Sequence, residues 1–240
     1  MTTNEPLPAN NPLTTTPSTT QPTLSDRSGA GMTDAVRVQI LATEHWSLLA
    51  TRSMTWNEVF SRASMFITVL SAAVVALALV AQVTAFGPGF RLFALLVLPV
   101  VLLVGVATRM RLSDANIEDL GLVMGMNRLR HAYLELAPEL EPYFVTAHYD
   151  DQASVRQTYS LGCRPGPSRV LASTPTLVGA IIVVVVGVLA ALIASTLGAS
   201  DAVAVVVGVI AALLTAVGHG ALVSRRISKA WRALPPRFPR

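Results

Sequence analysis

One cysteine, Cys163, in 240 residues leaves no partner for an intramolecular disulfide and no set of thiolates for a zinc cluster. Charge is scarce as well. Only 13% of the residues are charged while 52% are hydrophobic, and the mean hydropathy is +0.55, a balance outside the soluble globular class and typical of a polytopic membrane protein. A chain of this length has room for a few spanning helices but not for a membrane bundle plus a full-sized enzyme domain. The sequence also lacks H-E-x-x-H, G-x-x-x-x-G-K-[ST], G-x-S-x-G and G-x-G-x-x-G, so the common metal-hydrolase, nucleotide-binding and serine-hydrolase signatures are missing. No cofactor is expected. The net charge is +4, but the basic residues cluster beside apolar runs, where anionic lipid headgroups are a simpler partner than nucleic acid.

What is present falls into six segments. Residues 1–32 are rich in Thr, Pro, Ser and Asn; they have little to bury and are expected to be a disordered tail without a signal peptide. In residues 33–64, Thr33 is placed to cap a helix, Asp34 suits its first turn, and Val38, Leu41, His45 and Leu48 follow at helical spacing, continued by Trp56, Val59, Phe60 and Ala63. The pattern predicts an amphipathic helix that packs on the rest of the protein, or else serves as an interfacial or oligomer-contact helix.

Residues 65–108 hold two apolar runs, 65–86 and 90–108, separated by Gly87-Pro88-Gly89, and each matches the about 20 residues that cross about 30 Å of hydrocarbon. Pro99 sits inside the second. In residues 109–175, Ser113 or Asp114 is placed to cap a new helix carrying Ile117, Leu120, Met124, Leu129, Tyr133 and Leu136. A further helix is expected over 142–160, and residues 162–169, GCRPGPSR, read as a linker. Residues 176–223 make a second pair of spans turned by GASD, and 224–240 is a basic tail. The expected fold is therefore all-α: a polytopic membrane protein with two transmembrane helical hairpins separated by a cytoplasmic helical segment.

Arginines flank the outer ends of both pairs. Arg52, Arg62, Arg109, Arg111, Arg164, Arg169 and the tail lie on one side, against Arg91 alone on the other, so both termini and residues 109–175 are assigned to the cytoplasm. The spans carry no ionisable group at mid-depth; Gln82 and His219 lie near their ends. Ala204, Gly208, Ala212, Ala216 and Gly220 recur every four residues on the last span, a face suited to close helix packing, either within the hairpin or between copies of the chain. Arg225, Arg226, Lys229, Trp231 and Arg232 are candidate lipid-headgroup contacts.

Residues 129–152 crowd together histidines, carboxylates and aromatics. His148 with Asp151, and His131 with Glu135, would share a helical face, yet no third metal ligand follows at a recognisable spacing. Seven arginines and eight acids alternate over 109–175, which reads as a solvated helix face, with Tyr133, Tyr143, Phe144 and Tyr149 packing or docking.

Residues 42–66, ATEHWSLLATRSMTWNEVFSRASMF, followed by a hairpin and then by 125–144, GMNRLRHAYLELAPELEPYF, resemble a family of uncharacterised bacterial integral membrane proteins. Over residues 34–150 the order of helix, two spans and cytoplasmic helices is similar to SLATT-type membrane effector modules, which implies an oligomerising effector. The expectation is a non-enzymatic protein of the bacterial inner membrane, with cytoplasmic helices that bind a protein partner or assemble a homo-oligomer. The alternative is an oligomeric channel, pore or transporter subunit.

Overall fold

A computed structural model describes residues 32–161 and 173–240. The expected tail up to residue 31 and the linker 162–169, with Cys163, lie outside the described residues. Within them all regular structure is helical: α1 (Asp34–Thr84), α2 (Pro88–Leu136), a 3-10 helix (Pro138–Tyr143), α3 (Gln152–Ser160), α4 (Thr174–Thr196) and α5 (Asp201–Ala233). Helices α1, α2, α4 and α5 are long and apolar enough to cross a membrane.

No glycine or proline interrupts residues 34–84, so the amphipathic stretch and the first apolar run form one helix of 51 residues, about 75 Å long at 1.5 Å per residue. It ends in a tight reversal. Ala85 (φ 46°) and Phe86 (φ 58°) adopt the left-handed region, at a cost of about 1–2 kcal/mol each for residues bearing a Cβ. The amide of Gly87 then donates to the Thr84 carbonyl at 2.8 Å. A Cβ on Gly87 would lie 2.9 Å from that same oxygen, so glycine is required there. Pro88 opens α2, where its missing N–H costs nothing.

Helix α2 differs from expectation. It passes through Pro99 and continues unbroken to Leu136, with no new start at Ser113 or Asp114. The sequence changes polarity there without a residue that stops a helix, and termination waits for Pro138, which cannot continue it. Both long helices thus project past their apolar halves as a stalk, comprising residues 34–64 of α1 and 109–136 of α2.

One seam joins the two along their length. Buried positions on α2, namely Ala94, Leu98, Val101, Gly105, Thr108, Leu112, Ala115, Asp119, Val123 and Met126, recur at intervals of four and three that alternate as far as Asp119, the spacing of a coiled-coil core. Facing them on α1 are Leu48, Arg52, Val59, Ala63, Phe66, Leu70 and Ala73, buried or half-buried. The helices run antiparallel: Glu58 pairs with Arg111, and Phe66 packs on Gly105. Helix α4 joins at Gly105, where an added Cβ would lie 2.9 Å from the Phe66 ring and 3.2 Å from Ile182. Helix α5 packs on α4 and then extends past its apolar part, so that residues 224–233 are helix and not a separate tail. Its Ala230 reaches a second core of Leu120, Val123, Met124, Met126 and Val155 in the stalk.

Candidate functional site

The stalk seam contains a buried acid. Asp119 is 2% exposed and draws donors from two other elements. Arg52 on α1 donates from Nε to Oδ1 at 2.6 Å and more loosely from Nη2 to Oδ2 at 3.4 Å. Trp56, one turn further along α1, donates its indole N–H to Oδ1 at 2.9 Å. The Tyr159 hydroxyl on α3 donates to Oδ2 at 2.7 Å. Burial would weaken the charge on Arg52, but the hydrogen bond and charge of Asp119 outweigh it and raise its pKa. Burial, with the Asp119 charge behind it, pushes the Tyr159 phenol far above its ordinary range. Both carboxylate oxygens are occupied and the neighbours are held in one protonation state. Chemically the arrangement is a fixed ionic lock joining α1, α2 and α3.

A second polar group closes the far end of the stalk. Asp150, fully buried, accepts from Arg128 Nε at 2.6 Å and from the backbone amides of Arg237 and Phe238 at 2.8 and 2.9 Å, while its own amide donates to the Phe238 carbonyl. Burial alone would raise the Asp150 pKa; the two amides and Arg128 prevail and hold it below the usual carboxylate range. Asp151 accepts from the Ser154 amide at 2.9 Å and from the Arg240 amide at 2.9 Å. Asn127, also fully buried, donates to the Tyr149 carbonyl and accepts from Arg130 and Thr158. The C-terminal residues are therefore strapped onto the stalk.

These contacts correct the solvated-face expectation for residues 109–175. Asp119 and Asp150 are locks inside the stalk, and Asp151 caps α3, so replacing it costs a cap worth about 1 kcal/mol. The helix expected over 142–160 is also shorter. Residues 144–151 run without helix, because Asp150 pairs with the C-terminal strap, and α3 starts only at Gln152. His148 thus shares no helical face with Asp151. His131 stands 3.6 Å from Glu135 and stacks near His148 and Phe238. Among the described residues no three metal-ligating side chains converge.

The small-residue face divides in two. Ala204 and Gly208 are buried, and a Cβ on Gly208 would lie 2.7 Å from the Gly187 carbonyl and 3.0 Å from Ala191; Ala212 is half-buried beside Gly187. Ala216 and Gly220 are exposed, with open space at Gly220. Of the candidate headgroup contacts, Arg225, Lys229 and Arg232 are exposed. Arg226 pairs with Asp114 at 2.6 Å, and Trp231 packs against the second core.

Compared with protein-family models, curated proteins and solved structures, the chain gave no match. Arg52, Trp56, Asp119 and Tyr159 are scattered over residues 52–159 of the sequence and form no local motif. The available signal was Asp119 standing in the four-three repeat of α2, where an apolar residue is expected.

Proposed function

We propose that this chain is a non-enzymatic four-span protein of the bacterial inner membrane, in which α1 with α2 and α4 with α5 form transmembrane hairpins. Both termini and the stalk face the cytoplasm, and the stalk works as a scaffold or effector module that binds a protein partner or a second copy. The arginine distribution supports the orientation, and the unbroken helices couple anything bound on the stalk to the spans. An oligomerising effector, as the SLATT-like order of segments implies, would need such a coupling.

The observation that carries the reading is on α1. Outside its apolar half it leaves Ile40, Trp46 and Met54 exposed by 54%, 71% and 72%, within roughly 120° of the helix circumference at 100° per residue and turned from the seam. Large apolar side chains gathered on a face in water mark an interaction surface. A photo-crosslinking amino acid at Trp46 or Met54, in native membranes, should capture a protein, either this chain or another, while one at exposed Arg225 should not. Capture of lipid alone from both α1 positions would refute the scaffold reading. A membrane conductance appearing on expression would instead support the channel alternative.

A further inference from the structure

At the junction of the stalk with the apolar segments, α1, α2, α4 and α5 enclose a cavity of about 430 Å³. Among the described residues its lining includes two arginines, Arg109 and Arg226, and no carboxylate. Arg226 is committed to Asp114 at 2.6 Å. Arg109 is not: its Nε is buried and finds no hydrogen-bond partner among the described residues, although a guanidinium stays charged in any protein setting. Gly179 lets α4 come close to it, since a Cβ there would lie 3.3 Å from Arg109 Nε. The first turn of α4, from Thr174, borders the same space; Pro175 carries no N–H and the Leu177 amide donates to the Ser173 carbonyl, so the Thr174 and Thr176 amides, with the helix dipole, are the groups that favour an anion. Thr176, Ser113 and Asn116 add polar groups, while Trp56, Phe60 and Ile227 make the remaining wall apolar. Arg109 is half-buried, and a partly desolvated guanidinium with no counter-charge among the described residues favours an anion beside it.

The apolar wall decides which anion. Nearer the apolar ends of α1 and α4, together with Leu98 of α2, lies a groove of about 460 Å³ lined by residues including Leu70, Val74, Ile181 and Val184, all apolar among the described residues. A ligand filling both spaces has a phosphate at one end and a hydrocarbon chain at the other.

We propose that this cavity is a binding site for the phosphate of an anionic phospholipid, with Arg109 as its cation, the first turn of α4 as a second donor, and an acyl chain lying in the α1–α4 groove. The site is distinct from the exposed cations of α5 and rests on the four-span reading. It would make occupancy by a particular lipid class part of how α4 is held against the stalk.

The test is native mass spectrometry of the full chain in detergent, titrated with phosphatidylglycerol, with phosphatidylcholine of the same acyl chains, and with inorganic phosphate alone. Wild type should prefer phosphatidylglycerol by about tenfold, as a charge-assisted contact provides. Arg109→Gln should abolish that preference and leave phosphatidylcholine binding unchanged, whereas Arg225→Gln with Lys229→Gln should keep it within about twofold. If Arg109→Gln does not accumulate, Thr176→Val, which keeps the cation, should reduce the preference several-fold. A preference that survives Arg109→Gln or Thr176→Val but falls with the α5 variants would overturn the site in favour of diffuse surface charge. Arg109-dependent binding of inorganic phosphate without binding of the lipid would overturn the lipid assignment. Chain released from membranes by alkaline carbonate would overturn the four-span reading itself, a result separate from either.

Discussion

Arg52 and Asp119 are 67 residues apart in the chain and 2.6 Å apart in space. They meet inside a seam that is mostly apolar, with Thr108 the other polar seam position on α2, and the pairing of Arg52 with Asp119 is satisfied only when α1 and α2 lie in one longitudinal register. A slide by one turn would take Arg52 and Trp56 away from the buried Asp119 and leave it Tyr159 alone, and a buried polar group in a coiled-coil seam is a known means of fixing register. The lock thus aligns the stalk with the apolar halves of the same helices.

Removing the acid should be costly. Asp119→Ala leaves the donors of Arg52, Trp56 and Tyr159 without their acceptor, at about 3 kcal/mol, partly relieved because Arg52 is one-third exposed and reaches water. Tyr159→Phe removes one donor to the same carboxylate and should cost about 1–2 kcal/mol. Thermal unfolding in mild detergent measures both, and the double variant should lose less than the sum, since the two share one network. Additive losses would show that Tyr159 and Asp119 act separately.

Strong acid should loosen the outer face of the stalk. Hydrogen bonds from Arg111, then from Arg62, hold the Glu58 carboxyl down at about 2. Its folded pKa lies below the unfolded value, so its contribution is present above about pH 4.5 and is lost as pH falls toward 2. Because Glu58 is exposed and Arg111 half-buried, the pair is also screened by salt. Glu58→Gln should flatten the stability profile between pH 4.5 and 2 at low ionic strength and change little at pH 7 in high salt; an unchanged slope in that window would refute the assignment.

The two halves of the small-residue face should respond differently. Gly208→Leu drives a side chain into the Gly187 carbonyl 2.7 Å from the added Cβ and should sharply reduce the folded fraction. Ala216→Leu and Gly220→Leu enter open space and should shift stability within about 0.5 kcal/mol. Size-exclusion chromatography of the second pair then reads assembly: an unchanged elution confines the face to the α4–α5 contact, and a smaller species makes its inner half a contact between copies.

Much of this architecture was legible in local pattern. The apolar runs, the Gly87-Pro88-Gly89 turn and the close-packing residue Gly208 announce themselves within a few residues, because bilayer thickness and steric limits act locally. Leu41, His45 and Leu48 likewise already carry the seam spacing. The locks were not legible. Whether Asp119 faces Arg52 depends on where the reversal at Ala85 and Phe86 sets the register of two long helices, a sum over dozens of residues. Asp150 looked solvated because its partners are backbone amides at the far end of the chain, and an amide leaves no trace in side-chain pattern. The expected break at Ser113 failed for a related reason: a change of solvent alters which residues are favoured without altering helix continuity.

The arrangement of the stalk relative to the spans is tested most directly by impermeant thiol labelling. In a Cys163→Ser background, single substitutions Phe86→Cys, Leu197→Cys, Val145→Cys and Lys229→Cys place thiols at exposed positions on the two reversals, the stalk and the end of α5. Phe86→Cys and Leu197→Cys should label in intact bacterial cells, and Val145→Cys and Lys229→Cys only after the inner membrane is opened. Labelling of Val145→Cys in intact cells would place the stalk outside and contradict a cytoplasmic scaffold.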